Sequence, residues 1–129
     1  MREALAVMAG GALGSLGRWL VAEWIAVMPW AAGFPFGTLL VNVAGSFGIG
    51  IFSELLLEGR IWHASSSVHA FVFVGIFGGF TTFSAFSLQT LALLRTGQVV
   101  LAGVNILASV AVCLFAVWLG ALMAHWLAN

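Results

Sequence analysis

The sequence predicts an all-α integral membrane protein with four transmembrane helices, the third broken mid-membrane, and three observations carry that reading. Of 129 residues, 63% are hydrophobic and only 6% are charged, against roughly a quarter charged in soluble domains. Such a chain could not cover a water-facing surface. The apolar sequence divides into four runs, Ala4–Met28, Phe36–Leu57, Val68–Leu94 and Gln98–Leu127, each near the ~20 residues a bilayer requires. The third run is interrupted by Gly78-Gly79-Phe80-Thr81-Thr82, a poor helix interior. Gly costs about 1 kcal/mol there relative to Ala, and β-branched Thr loses rotamer freedom.

Length allows a single membrane domain over residues 1–129. Cys113 is the one cysteine, which excludes an intrachain disulfide and a cysteine metal cage. The four basic residues are Arg2, Arg18, Arg60 and Arg95, too dispersed to form a patch for nucleic acid.

The first span ends at Pro29-Trp30, with Trp19, Trp24 and Trp30 as interfacial anchors. Its apolar run continues past Arg18 to Met28, too long for the hydrophobic region of a signal peptide. Gly10, Gly14 and Gly17 put small residues at helical spacing, which lets helix backbones approach closely. Arg18 lies inside the span, where an arginine finds water, a carboxylate or carbonyl oxygens. A structural anchor is the expectation.

A short loop, Ala31–Pro35, leads to the second span, which Glu58-Gly59-Arg60 closes. Asn42 falls well inside it and brings two N–H donors and one carbonyl. It either bonds a neighbouring helix or donates to a passing anion. Gly45, Gly48 and Gly50 again imply tight packing.

Ser65-Ser66-Ser67 supplies N-cap material for the third span. His63 and His69 read as interfacial residues. The backbone is expected to leave the helix near Gly78–Thr82, with a helix on either side. Irregular backbone at membrane depth survives only where protein, water or an ion satisfies the freed N–H and C=O groups. Beyond it, Phe83, Phe86 and Thr90 share one face, with Gln89 on a nearby face. Arg95-Thr96-Gly97 ends the span. In the fourth span Asn105, Ser109 and Cys113 recur every four residues as one mildly polar stripe. That stripe is either a wet track or a line of interhelical hydrogen bonds. His125 and Trp126 close the chain near the interface.

Four spans put both termini on one side, with Arg2 and Arg60. Arg95 lies opposite, and Arg18 sits in the half of its span nearer Arg95. Orientation relies on an Arg/Lys excess on one side, and here that excess vanishes. Insertion both ways, with oppositely oriented copies paired as an antiparallel homodimer, follows as an expectation. Four short helices are also too few to enclose a roomy pore.

Three stretches together resemble one family: Gly14-Ser15-Leu16-Gly17-Arg18-Trp19, Gly37-Thr38-Leu39-Leu40-Val41-Asn42-Val43-Ala44-Gly45, and Gly78 through Ser87. Their order, types and spacing are similar to those of the Fluc (CrcB) family of bacterial fluoride channels. The resemblance covers essentially the whole chain. It implies a dual-topology antiparallel dimer in the bacterial inner membrane, with two pores, conferring fluoride resistance. By the same resemblance the fluoride pathway runs past Asn42, Thr82, Phe83, Ser84, Phe86, Gln89 and Ser109, with Arg18 as the structural anchor. It further implies a structural Na⁺ at the dimer centre, held by the backbone carbonyls of Gly78 and Thr81 from both chains, and no organic cofactor. The residue chemistry agrees: amide and hydroxyl donors can replace fluoride's water. A phenyl ring has a positive edge that contacts an anion without trapping it.

The chain departs from the family pattern where Gln89 replaces a Glu, Asn105 a Tyr and Cys113 a small hydroxyl. A proton-coupled multidrug or guanidinium exporter also has four spans and dual topology. It needs a carboxylate deep in the membrane, and Glu23 and Glu54 lie toward span ends. A proton-coupled fluoride carrier is the other alternative to a passive channel, and the lack of a central Glu, Asp or His favours the channel. An enzyme would need a clustered nucleophile and base or a metal set, and none is apparent in the sequence.

Overall fold

The computed structural model of the protein describes residues 1–57 and 64–128. Within them four helices are long and apolar enough to cross a membrane: Arg2–Ala26, Phe36–Leu56, Ser66–Arg95 and Val99–Leu127. The turn Glu58-Gly59-Arg60 and His63 lie outside the described residues. The chain is a multi-pass, all-helical membrane protein.

Local chemistry sets the ends of these spans. The first gives way to a 3₁₀ turn, Pro29–Ala31, where proline occupies the first position and needs no N–H partner. The third starts at Ser65, whose Oγ accepts from the Val68 N–H at 3.4 Å. It ends in a Schellman turn. Gly97 takes φ 76°, its N–H bonds Leu94 O at 3.1 Å, and the Gln98 N–H bonds Leu93 O at 2.8 Å. Only glycine adopts that backbone without strain.

Two segments wind more widely than an α-helix. Ser53–Leu57 at the end of the second span and Ala70–Phe77 in the third are π-helical. Such wide turns cluster at functional places in helices.

Packing relies on glycine. The second and fourth spans pack along an extensive interface, and a Cβ on Gly50 or Gly120 would run into the backbone oxygens of Val117 and Phe47 respectively. The first span lies against the π-helical part of the third in the same way, with Gly10 and Gly14 facing the carbonyls of Phe71 and Ile76. Lipid tails are as apolar as leucine, so helices in a bilayer adhere through such close contact. The core is correspondingly small: Ile25, Val41, Leu56, Val72, Phe86 and Leu93 are its larger members among the described residues. Trp19, Trp24, Trp30, Trp118 and Trp126 remain on the outside.

Candidate functional site

The site is built where the third span stops being helical. A short helix, Gly78–Phe80, and the helix Phe83–Arg95 are separated by Thr81 (φ −82°, ψ 158°) and Thr82 (φ −152°, ψ 115°), both extended. The glycines expected to unwind remain helical, and the extended residues are the threonines.

The hydrogen bonding explains why. The Thr81 N–H closes the last helical turn on Phe77 O at 3.0 Å. The next N–H, of Thr82, would continue the ladder to Gly78 O but donates to Asn42 Oδ1 at 2.7 Å. Asn42 Nδ2 in turn donates to Thr82 O at 3.0 Å. One side-chain amide thus satisfies both polar groups of an extended residue. The Thr82 hydroxyl then caps the following helix, accepting from the Ala85 N–H at 3.2 Å, and lies 3.2 Å from Ser84 Oγ. Arg18 reaches the same place: its Nη1 donates to Thr81 O at 3.4 Å.

Beside the extended pair lies an open cavity of about 460 Å³. Asn42, Thr82, Phe83, Phe86 and Ser109 all line it. The Phe83 and Phe86 rings are 5.2 Å apart, tilted by 49°. Although three positions apart on one helix, they differ in burial: Phe83 is 77% exposed and Phe86 9%. Phe86 belongs to the wall, and Phe83 stands at its rim, facing whatever adjoins the chain.

The other expected residues lie elsewhere. Ser84 meets the wall through Thr82. Gln89 lines a second cavity of about 340 Å³ with Phe34, Pro35, Leu93 and Thr96, and its Oε1 is buried without a hydrogen-bond partner among the described residues. The polar stripe of the fourth span divides. Ser109 and Cys113 line the first cavity. Asn105 is instead 2% exposed and donates to Thr90 Oγ1 at 2.8 Å. Each step of four residues turns a helix face by about 40°, so a stripe at that spacing cannot keep one neighbour for long. Ser46, which sequence reasoning did not single out, lines the first cavity one turn after Asn42. The four-residue spacing from Asn42 was the signal available for it.

The carbonyls of Gly78 and Thr81 belong to a helix C-terminus, the negative end of its dipole. Gly78 O has lost its usual Thr82 donor to Asn42. Thr81 O accepts one bond from Arg18, and a carbonyl has a second lone pair. Neutral, hard oxygens of this kind fit a hard monovalent cation.

Comparison with known proteins bears on this geometry. A family model described as CrcB-like protein, Camphor Resistance (CrcB), matches residues 5–121. A Methylobacterium radiotolerans protein called fluoride-specific ion channel FluC is 50% identical over 121 residues, covering 93% of this chain and 83% of that relative. An Opitutus terrae protein of the same name is 51% identical over 117 residues, 90% of this chain and 87% of its own. A Geobacter metallireducens relative, also so named, is 42% identical over 127 residues, 98% of this chain and 100% of its own.

Proposed function

This chain belongs to the Fluc (CrcB) family, and on that premise we propose that it is a fluoride-selective passive channel of the bacterial inner membrane. The observation that carries the reading is the cavity in which Asn42, Thr82, Phe86 and Ser109 come together beside extended backbone. The names of its relatives supply the ion. A channel of this kind catalyses no reaction, so no enzyme activity is proposed.

The wall suits a small, strongly hydrated anion. Asn42 spends one N–H on Thr82 O and keeps its second for the cavity, since an amide nitrogen carries two. The Ser109 and Ser46 hydroxyls add donors. Amide and hydroxyl dipoles replace water without a full positive charge, and conduction requires sites weak enough to leave. The Phe83 and Phe86 ring edges extend that weak attraction through an otherwise apolar stretch. None of these groups gains or loses a proton near neutral pH, which supports passive flow over coupled transport. Gln89 and Ser84 belong to the pathway in this reading, one at its end and one through Thr82.

The working unit in this proposal is an antiparallel homodimer with a pathway on each side. The exposed Phe83 rim and the open cavity call for a second wall, and the balanced arginines permit both insertions. A Na⁺ at the centre would be held by the Gly78 and Thr81 carbonyls of both chains. It would offset the negative helix ends and ease anion passage. Arg18 anchors the extended segment through Thr81 O. Residues 1–129 act as one membrane domain.

Fluoride efflux from liposomes tests the activity. For the assembly, single cysteines near the termini of a Cys113→Ser protein, labelled in intact cells, should react from both sides. Labelling from one side alone contradicts the antiparallel dimer.

A further inference from the structure

We propose that Asn105 is a positioning residue. Through Thr90 it sets the rotation of the helix Phe83–Arg95 and so the seat of the Phe86 ring. The inference rests on the fluoride-channel reading for its functional consequence, but its structural half stands alone.

The geometry is a two-step relay. Asn105 Nδ2 donates to Thr90 Oγ1 at 2.8 Å, and the Thr90 hydroxyl donates to Phe86 O at 2.8 Å. The directions are consistent, since a hydroxyl gives one hydrogen bond and accepts two. All three residues are closed off from the surroundings, at 2%, 8% and 9% exposure. Water has little access to either bond. Asn105 and Val41 are the largest fully buried side chains of the described residues, so this amide is a core group rather than part of the pathway wall.

The helix carrying both phenylalanines needs such a tether. Among the described elements it packs on the fourth span and slightly on the second, far less than the other spans do. Its N-terminal end follows two extended residues, so no helical ladder transmits rotation from the preceding segment. Asn42 fixes Thr82 at that end. About two turns further along, the Asn105–Thr90 bond is a polar contact between this helix and the fourth span. With both points held, Phe86 stays in the wall. With only the first held, the helix can rock about Thr82. A buried polar pair with one best geometry specifies an arrangement that apolar contact leaves loose.

The test uses the full-length protein with 4-fluorophenylalanine at position 86, read by fluorine NMR in micelles, and fluoride efflux from liposomes scaled to folded protein. Thr90→Val keeps the shape but loses the hydroxyl, Asn105→Leu loses the donor, and Thr90→Ser keeps the relay. The proposal expects Thr90→Val and Asn105→Leu each to shift or broaden the Phe86 fluorine line. Each should also slow efflux by roughly 3- to 30-fold. The double variant should be no worse than either single, and Thr90→Ser should match the wild type. Unmoved fluorine lines in both single variants would overturn it, as would additive losses in the double variant. A wild type without efflux defeats the channel reading, while the fluorine lines still decide the relay. If Thr90→Val does not fold, Asn105→Ser, too short to reach Thr90, carries the same comparison.

Discussion

Asn42 and Thr82 lie 40 residues apart in sequence and exchange two hydrogen bonds, Thr82 N–H to Oδ1 at 2.7 Å and Nδ2 to Thr82 O at 3.0 Å. The amide acts as a missing backbone partner. It lets the third span contain two extended residues without leaving their groups bare. It also leaves one N–H over, and in the proposed channel that N–H is the donor the Asn42 side chain offers to the cavity it lines.

Asn42→Asp should therefore fail twice. A carboxylate oxygen would face Thr82 O, acceptor to acceptor, and a full negative charge would stand in the anion's way. At ~5 Å and an effective dielectric constant of ~20, that charge raises a passing anion by about 3 kcal/mol. Efflux should fall by about a hundredfold, since 1.4 kcal/mol is tenfold. Full activity would refute the donor role.

Phe83→Ile and Phe86→Ile separate ring chemistry from packing. Both should slow fluoride by about 2- to 10-fold, the worth of a lost aromatic contact, with the dimer intact on size exclusion. Phe86→Ile should also lower thermal stability in detergent, by about 1 kcal/mol, because Phe86 is buried within its own chain.

Gly50→Ala should weaken the packing of each chain rather than conduction alone. Its Cβ would meet the Val117 carbonyl, and overpacking of this kind costs about 1–3 kcal/mol. Gly103→Ala, where an added Cβ would meet nothing within 4 Å beyond the backbone of its own helical turns, should be neutral or stabilising. Thermal melts of the two purified variants make the comparison.

Exchange of Na⁺ for a large organic cation should reversibly lower both efflux and thermal stability. An ion bound only by the folded protein contributes about 2.7 kcal/mol at a hundred times its dissociation constant. Identical melting in the two cations would remove the ion from the Gly78 and Thr81 carbonyls.

The sequence was most legible where its physics is one-dimensional. Long apolar runs flanked by Pro29, the Ser65 cap and Gly97 gave four spans within about two residues at the described ends. The Gly-Gly-Phe-Thr-Thr run marked where helical winding gives out, but put the extended backbone on Gly78 as well. Glycine tolerates a helix, whereas Thr82 is drawn out of one by an amide from another span. That partner is 40 residues away and invisible to local propensity. The π-helical turns at 53–57 and 70–77 had no compositional mark. In sequence Asn105, Ser109 and Cys113 form one stripe because all recur at four. Helical drift turns Asn105 onto Thr90 instead, and it leaves Ser46 as the unnoticed neighbour of Asn42 in the wall.

The account rests on selective, passive fluoride flow, and one measurement reaches it directly. Purified protein in liposomes loaded with equal fluoride and chloride, with a potassium ionophore to set the voltage, is followed by two ion-selective electrodes. The account predicts fast, voltage-driven loss of fluoride while chloride stays. Retention of both ions, equal loss of both, or fluoride loss only under a proton gradient would contradict it.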